Sequence, residues 1–329
     1  MRAFEYAAPS TKEQAVALLG SRWEDAAVLA GGTDLMSQMK DNIAAPRRVV
    51  DIKGIRELAG IQYSAQSGLR LGALATLEQL REHADVRQHY PALVQAVEGI
   101  TSAQMRNRGT VGGDLVQRPR CWYFRNGFGI VAPPGQPAGQ EDGRYFSIFG
   151  NDGPAAFVNP SSLAPALIAL GARVRLYSAQ GTRDVPLEQF FMIPRAATER
   201  ENVLQPNELL MEIIVPAGSW RTATYEVRQK EALDWPLAAA AVAVEMDGNA
   251  VKTARVVLGH VAPIPWRSPE AEQAITGETI TERTAMEAGQ AAVQKARSLG
   301  QNAYKVQLAR VAVKRALLSA MSQAVQGGA

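Results

Sequence analysis

The interpretation of this chain depends on two glycine-containing stretches, Val28-Leu29-Ala30-Gly31-Gly32-Thr33-Asp34-Leu35 and Arg106-Asn107-Arg108-Gly109-Thr110-Val111-Gly112-Gly113-Asp114-Leu115. They lie about eighty residues apart, and each follows an apolar segment. Consecutive glycines expose backbone N–H groups to an anion and permit the positive φ angles that curl those donors into a nest. The neighbouring Thr and Asp residues can hydrogen-bond phosphate, ribityl or ribose groups. One glycine doublet is more often a plain tight turn, whereas two doublets in this context are stronger support for an anion site.

The two motifs, AGGTDL at residues 30–35 and RNRGTVGGD at residues 106–114, resemble those of the FAD-binding medium subunit of the molybdenum hydroxylases. This family includes the flavoproteins of xanthine dehydrogenase, aerobic carbon monoxide dehydrogenase and aldehyde oxidoreductase. The likeness covers nearly the whole chain, through Asn159-Pro160-Ser161-Ser162-Leu163 to Leu233-Asp234-Trp235-Pro236-Leu237-Ala238. It implies an α+β fold with a two-part FAD-binding domain of the vanillyl-alcohol-oxidase/PCMH type. A C-terminal antiparallel sheet with helices, like that of the CO dehydrogenase flavoprotein, is expected to follow.

The resemblance implies one FAD held without a covalent bond, with its diphosphate wrapped by the two glycine turns. The sequence itself offers no candidate catalytic residue, and its one cysteine and three scattered histidines predict no metal site. The candidate FAD-binding residues carried over from the family are Val28, Leu29, Ala30, Gly31, Gly32, Thr33, Asp34, Leu35, Ser102, Thr110, Gly112, Gly113, Asp114, Ser162 and Lys230.

Three of these candidates have an alternative role. Asp114 stands where relatives usually carry Asn, and an ionised carboxylate cannot donate a hydrogen bond and opposes a nearby diphosphate. Ser162 stands where many relatives carry Asp, and Ser161-Ser162 is equally suited to cap the helix that follows. Lys230 and Asp234 match a basic and an acidic position near the flavin in relatives, but they also fit a solvated strand or a salt bridge.

Residues 117–153 resemble an insert found in the aldehyde oxidoreductase branch, where further cysteines complete a [4Fe–4S] cluster. Such a cluster needs about four thiolates, and Cys121 is the single cysteine of this chain. We therefore expect the insert without an iron–sulfur cluster, and Cys121 as a packed or partly exposed thiol. The insert is rich in aromatic residues, which are either anchors of a partner interface or a cover for the core of this subunit.

At 329 residues the chain is too long for one small core. We expect an N-terminal α/β FAD subdomain at residues 1–57, a second FAD subdomain at 58–220 with the 117–153 insert, and a C-terminal domain at 221–329. Capping boxes are predicted at Ser10/Glu13 and Thr76/Gln79. Two strands are predicted at 173–177 and 210–215, a hairpin turn at Asp247-Gly248, and helices at 282–298 and 302–324.

Other classes of protein find little support in the sequence. The net charge of +3 comes from scattered basic residues, so a nucleic-acid binder is not expected. No apolar run approaches the roughly 20 residues of a membrane helix. The start lacks a secretory signal, which favours the cytoplasm, although export on a partner's signal stays open. The chain also lacks the G-x-S-x-G, H-E-x-x-H, Walker and Rossmann motifs.

The expected function is that of a flavin carrier, because FAD brings the redox chemistry and this chain offers no substrate base. Electrons would come from a small iron–sulfur subunit with a [2Fe–2S] centre, and substrate would be oxidised on a large subunit with the molybdenum cofactor. The three subunits would form a heterotrimer. Two alternatives stay open at this point: a stand-alone FAD oxidoreductase, and a non-catalytic scaffold that binds a nucleotide to hold partners together.

Overall fold

The first part of the chain is a small parallel sheet that positions the first glycine pair. In the computed structural model, which describes residues 1–132 and 142–322, its strands lie in the order β1-β3-β2. Helices cross over between the strands, as parallel pairing requires. The elements are β1 (Glu5–Ala7), α1 (Lys12–Leu18), β2 (Ala26–Leu29), α2 (Leu35–Lys40) and β3 (Arg48–Asp51).

Helix α1 begins one residue later than the predicted Ser10/Glu13 box requires, so that prediction is wrong. Thr11 is the N-cap, and its hydroxyl accepts from the Gln14 N–H at 3.3 Å. The Gln14 side chain in turn accepts from the Ser10 N–H at 3.0 Å. Moving the cap by one residue moves its partner from Glu13 to Gln14, because the partner lies three residues further along.

The second part is an antiparallel sheet with the strand order β4-β5-β8-β6-β7. The two strands predicted around 173–177 and 210–215 are present and pair with each other. A third strand, β7, was not predicted, since it is an exposed edge strand without apolar alternation. The strands are β4 (Ile61–Ser64), β5 (Gly68–Gly72), β6 (Arg173–Ser178), β7 (Gly181–Pro186) and β8 (Leu209–Val215).

Short helices cover this second sheet. The predicted capping box at Thr76/Gln79 is confirmed, with reciprocal hydrogen bonds of 3.1 and 2.9 Å. All seven residues of the helix Leu163–Ala169 are buried, because it packs in one core with side chains of this second sheet, which we call the middle sheet, and of the C-terminal sheet. The helices are α3 (Leu77–Glu82), α4 (Ala84–His89), α5 (Pro91–Glu98), α6 (Ala103–Arg108), α7 (Val111–Val116), α8 (Trp122–Arg125), α9 (Leu163–Ala169) and α10 (Leu187–Phe190).

The third part is an antiparallel sheet in the order β12-β11-β10-β9, backed by three helices. The predicted hairpin at Asp247-Gly248 is confirmed, with Asp247 opposite Ala250. Its elements are β9 (Arg221–Val227), β10 (Ala238–Asp247), β11 (Ala250–Gly259), β12 (Trp266–Arg267), α11 (Pro269–Ile275), α12 (Glu282–Ala292) and α13 (Tyr304–Ser322).

Helix α12 ends at Ala292 and not at the predicted Ser298. The residues after it turn towards the 117–153 segment, where the Arg297 N–H donates to the Ile148 carbonyl at 2.7 Å. The hydrophobic core of the middle sheet also includes Ala241 and Ala243 of β10. Because the two parts share core residues, the predicted domain boundary at residue 220 stays a prediction.

The 117–153 segment is fastened to the C-terminal part through buried polar side chains. Asn302 donates to the carbonyls of Phe146 and Ser147 at 3.1 and 2.9 Å. The Lys305 ammonium donates to the His260 carbonyl at 2.8 Å and, at 3.3 Å, to those of Tyr145 and Phe146. Residues 133–141 of the segment lie outside the described residues.

One of the aromatic residues of that segment covers the core of this subunit, and two others are exposed. Phe124 is buried beside Ile130 and Phe157, so it covers the subunit's own core. Trp122 and Phe128 are 59% and 73% exposed. Their part in a partner interface stays a prediction.

Candidate functional site

Two adjoining clefts lie beside the two glycine motifs. The first has a volume of about 350 Å³ and runs along β2 and the first glycine pair. The second, of about 330 Å³, lies between α6, α7 and the loop at residues 233–236. Four residues line both clefts, and we call this place the junction: Thr33, Thr110, Gly113 and Gln117. An elongated ligand that fills both clefts must pass through the junction.

The first glycine pair forms the predicted turn at the carboxyl end of β2. Gly32 has a φ of +75°, the left-handed conformation that glycine adopts at low cost. Within the described part of the chain, the N–H groups of Gly31, Gly32 and Thr33 donate no hydrogen bond. All three residues line the first cleft. Three adjacent free donors at a turn are suited to bind an anion such as a phosphate.

The two glycine motifs touch each other at Gly31. A Cβ atom on Gly31 would overlap the carbonyl oxygen of Arg108. Glycine is needed there because the backbone of the second motif crosses directly over it, although Gly31 itself has no positive φ. The close approach brings residues that are about eighty positions apart to one site.

The second glycine pair is not a turn, and this prediction is wrong. Gly112 and Gly113 lie within α7, and their N–H groups are already used. Gly112 donates to the Ala73 carbonyl at 3.0 Å, and Gly113 donates to the Thr110 hydroxyl at 3.1 Å. A Cβ on Gly112 would lie 2.8 Å from the Ala73 Cβ. Gly112 therefore permits close packing between α7 and the strand end at Ala73, and does not supply a second nest.

Asp114 faces the start of α9 and also lines the second cleft. Its carboxylate accepts from the Ser161 hydroxyl and, at 3.1 Å, from the Leu163 N–H. Burial raises the pKa of this carboxyl above its usual value. Ser161 also caps α9 by accepting from the Ala164 N–H at 2.9 Å, whereas Ser162 makes no side-chain capping bond. The capping alternative thus applies to Ser161, and Ser162 lines the second cleft.

The outer wall of the second cleft is the loop at residues 233–236. Leu233 holds a φ of +56°, which is costly for a side chain of this size, and it is 79% exposed. Its N–H donates to the Thr101 hydroxyl at 2.7 Å, which ties the loop to the opposite wall. Lys230 has an exposed side chain and lines neither cleft, and its N–H donates to the Asp234 carboxylate at 3.0 Å.

A group of arginines, not predicted as site residues, packs against the first glycine turn. Arg120 and Arg125 share one oxygen of Asp34, at 2.5 and 2.7 Å. The Arg118 N–H donates to the other oxygen at 2.8 Å, and its guanidinium pairs with Glu201 at 2.5 Å. Burial lowers the pKa of Arg118 and Arg120 and raises that of Glu201. We call these five residues the arginine cluster.

The arginine cluster carries a positive charge at the cleft wall. Three guanidinium groups face two carboxylates, so one positive charge is in excess when all five groups are ionised. The sequence signal for this cluster was the density of arginines directly after the second glycine motif. That signal does not say which carboxylates lie opposite.

A buried acid lies behind the second cleft. Glu226 on β9 forms an ion pair with Arg228, and a Cβ on Gly99 of the cleft wall would overlap the Glu226 carboxylate. Burial raises the pKa of Glu226 to about 7, with the charge of nearby Asp114 contributing in the same direction.

Most of the predicted FAD-binding residues line these two clefts. Those at the first cleft are Val28, Ala30, Gly31, Gly32, Thr33, Asp34, Leu35, Thr110, Gly112 and Gly113. Those at the second are Thr33, Ser102, Thr110, Gly113, Asp114 and Ser162. Leu29 and Lys230 are outside both linings. Contact of any of these residues with FAD stays a prediction.

The described residues hold no cluster of three or more His, Cys, Asp or Glu side chains that could bind a metal ion. Burial raises the pKa of the Cys121 thiol, which disfavours the thiolate that metal binding requires. In the described ranges, no helix is long and apolar enough to cross a membrane.

The sequence and the fold match a defined class of protein. Residues 2–218 match the family model for the FAD binding domain in molybdopterin dehydrogenase. Residues 223–320 match the model for the CO dehydrogenase flavoprotein C-terminal domain. The chain belongs to this family of flavoprotein subunits.

Individual relatives are similar over their full length. The carbon monoxide dehydrogenase medium chain of Hydrogenophaga pseudoflava is 33% identical over 97% of this chain and 98% of its own. The aldehyde oxidoreductase FAD-binding subunit of Escherichia coli is 30% identical over 98% of this chain and 100% of its own. A solved structure of the H. pseudoflava carbon monoxide dehydrogenase matches with a TM-score of 0.76 and 31% identity, covering 98% of both chains.

Proposed function

We propose that this chain is the FAD-carrying electron-transfer subunit of a heteromeric molybdenum hydroxylase. It takes electrons from a small iron–sulfur subunit and passes them to an external acceptor, while substrate is oxidised on a large subunit that holds the molybdenum cofactor. The observation that carries the proposal is the first glycine turn, whose three residues line the first cleft and whose N–H groups donate no hydrogen bond within the described residues. Family membership supports the same function.

The residues present fit FAD. The donors of Gly31, Gly32 and Thr33 would hold the diphosphate, because adjacent N–H groups at a turn bind such an anion without a lysine. The two clefts would each accept one ring system, and the loop tied by Leu233 to Thr101 would exclude water from the second. When bound, FAD supplies the redox chemistry, and this chain supplies binding, orientation and electrostatics.

The proposal includes a cytoplasmic location for the complex. Fractionation of cells that produce the whole complex tests this directly. Recovery of the subunit with a cytoplasmic marker enzyme is expected, and recovery only with a periplasmic marker would contradict it.

The native complex, purified through a tag on this chain, provides the main test. We expect two further subunits, a flavin spectrum, and FAD that acid precipitation releases completely into the supernatant. The isolated chain is expected to bind FAD but not to oxidise aldehydes, purines or N-heterocycles. Aldehyde oxidation by the isolated chain would favour a stand-alone oxidoreductase instead. A complex without flavin would contradict the proposal.

A further inference from the structure

Arg120 occupies a position between the two clefts. It lines the second cleft, and it forms an ion pair with Asp34, which lines the first. One guanidinium nitrogen donates to the Gln117 side chain at 2.9 Å, and Gln117 belongs to the junction. The guanidinium also lies over the Trp235 ring, 5.0 Å from its centroid. These contacts from three separate segments hold the group in one orientation.

The partners of Arg120 do not use its full charge or all of its donors. Arg125 binds the same Asp34 oxygen, so two guanidinium groups share one carboxylate. The Arg120 Nε atom is buried and has no hydrogen-bond partner within the described residues. A ligand in the cleft cannot reach the buried Nε, but Nη1 donates to Asp34 and Nη2 to Gln117, and each of these nitrogens carries a second hydrogen that a ligand can accept.

The position of Arg120 also compensates the unusual Asp114. The positive charge of Arg120 acts to lower the pKa of the Asp114 carboxyl, which is the direction of an attractive interaction. Two acidic side chains, Asp34 and Asp114, border the path between the clefts. Without a cation between them, they would oppose any anion that enters the junction.

We propose that Arg120 binds the diphosphate of the dinucleotide where it passes through the junction. This inference rests on the proposed function. It assigns a binding role to a residue of the 117–153 segment, which lies outside both glycine motifs. The planar fork of arginine matches the paired oxygens of a phosphate. Arg120 would act together with the free donors of Gly31, Gly32 and Thr33 on the same anionic group.

The test compares FAD with FMN and riboflavin, which have the same isoalloxazine ring; FMN keeps one phosphate without the adenosine, and riboflavin has neither. Binding to the full-length apoprotein is measured by quenching of flavin fluorescence. We expect Arg120→Met to weaken FAD binding about ten- to a hundredfold, the range of a charge-assisted hydrogen bond. Riboflavin binding should change less than about twofold. The dependence of FAD affinity on salt should also be weaker in the variant.

Arg125→Met is the matched control, because Arg125 pairs with the same Asp34 oxygen but lines neither cleft. We expect FAD affinity to fall clearly less than in Arg120→Met, because the loss of Arg125 lets Asp34 draw more of the Arg120 charge but removes no group that lines a cleft. Arg120→Lys keeps the charge without the fork, and an intermediate FAD affinity is expected. If Arg120→Met does not fold, the FAD affinity of Arg120→Lys provides the test.

Several outcomes would overturn the inference. Equal losses of FAD and riboflavin affinity in Arg120→Met would show that Arg120 only fixes the segment. Equal losses of FAD affinity in Arg120→Met and Arg125→Met would assign the effect to Asp34. Unchanged FAD affinity in a folded Arg120→Lys and Arg120→Met would exclude contact with the diphosphate. Failure of the wild-type apoprotein to bind either flavin would instead contradict the proposed function.

Discussion

Replacing Glu226 by glutamine is expected to change how stability depends on pH. The Glu226 side chain is only 7% exposed and pairs with Arg228. Burial is the largest cause that raises its pKa from 4.5 to about 7, and the charge of Asp114 adds to it. His260 is also close enough to Arg228 to be influenced by its charge; burial, Lys305 and Arg228 lower the pKa of His260 to about 3, so it is neutral in the folded protein throughout the assay. Glutamine keeps the size of the side chain and removes the titration.

The sign follows from proton binding in the two states. Between pH 4.5 and about 7 the folded protein holds a proton on Glu226 that the unfolded chain has lost. The contribution to stability is therefore complete below pH 4.5 and is lost as the pH rises through about 7. A pKa difference of roughly 2.5 corresponds to about 3 kcal/mol at roughly 1.4 kcal/mol for each pKa unit.

The assay is urea unfolding of the isolated chain at pH 5, 6, 7 and 8 for both proteins. We expect the stability difference, variant minus wild type, to rise by about 2–3 kcal/mol from pH 5 to pH 8, slightly less than the full value because part of the contribution is already lost at pH 5. Titration of His260 and Lys305 occurs in both proteins and cancels in the difference. Glu245→Gln on β10 is the control, because its partner Lys252 lowers the pKa of Glu245 and no slope is expected above pH 5. Parallel profiles for wild type and Glu226→Gln would refute the reasoning.

The remaining predictions concern the glycine turn and the cysteine. Gly32→Val is expected to abolish FAD retention. Gly248→Val is the control: Gly248 has a similar positive φ in a distant hairpin, so this variant should keep FAD despite a comparable backbone penalty of about 1–2 kcal/mol. Equal flavin content in both folded variants would argue against the nest. Gly31→Ala should lower the free energy of unfolding by about 2–3 kcal/mol, since the methyl group overlaps the Arg108 carbonyl, and an unchanged urea midpoint would contradict this close approach. Cys121→Ser should leave the iron content of the isolated subunit unchanged, and near-stoichiometric iron on the wild type would overturn the expected absence of a cluster.

Local features of this protein could be predicted from the sequence because neighbouring residues cause them. The Thr76/Gln79 capping box and the Asp247-Gly248 hairpin depend on side chains and φ angles within a few residues. The Gly31-Gly32 turn belongs to the same kind, since the end of a buried strand and a glycine in the left-handed conformation are enough to define it. The failed Ser10/Glu13 box shows the precision of such patterns, which is about one residue.

Long-range packing decided the features that the sequence left open. Gly112 could serve a turn or a close contact, and the approach of Ala73 shows that it serves the close contact. The arginines after the second motif are visible as charges, but their pairing with Asp34 joins residues that are more than eighty positions apart. A local sequence pattern indicates which structural roles a residue can take. The tertiary structure fixes which neighbour it meets, because burial and charge pairing depend on segments distant in the chain.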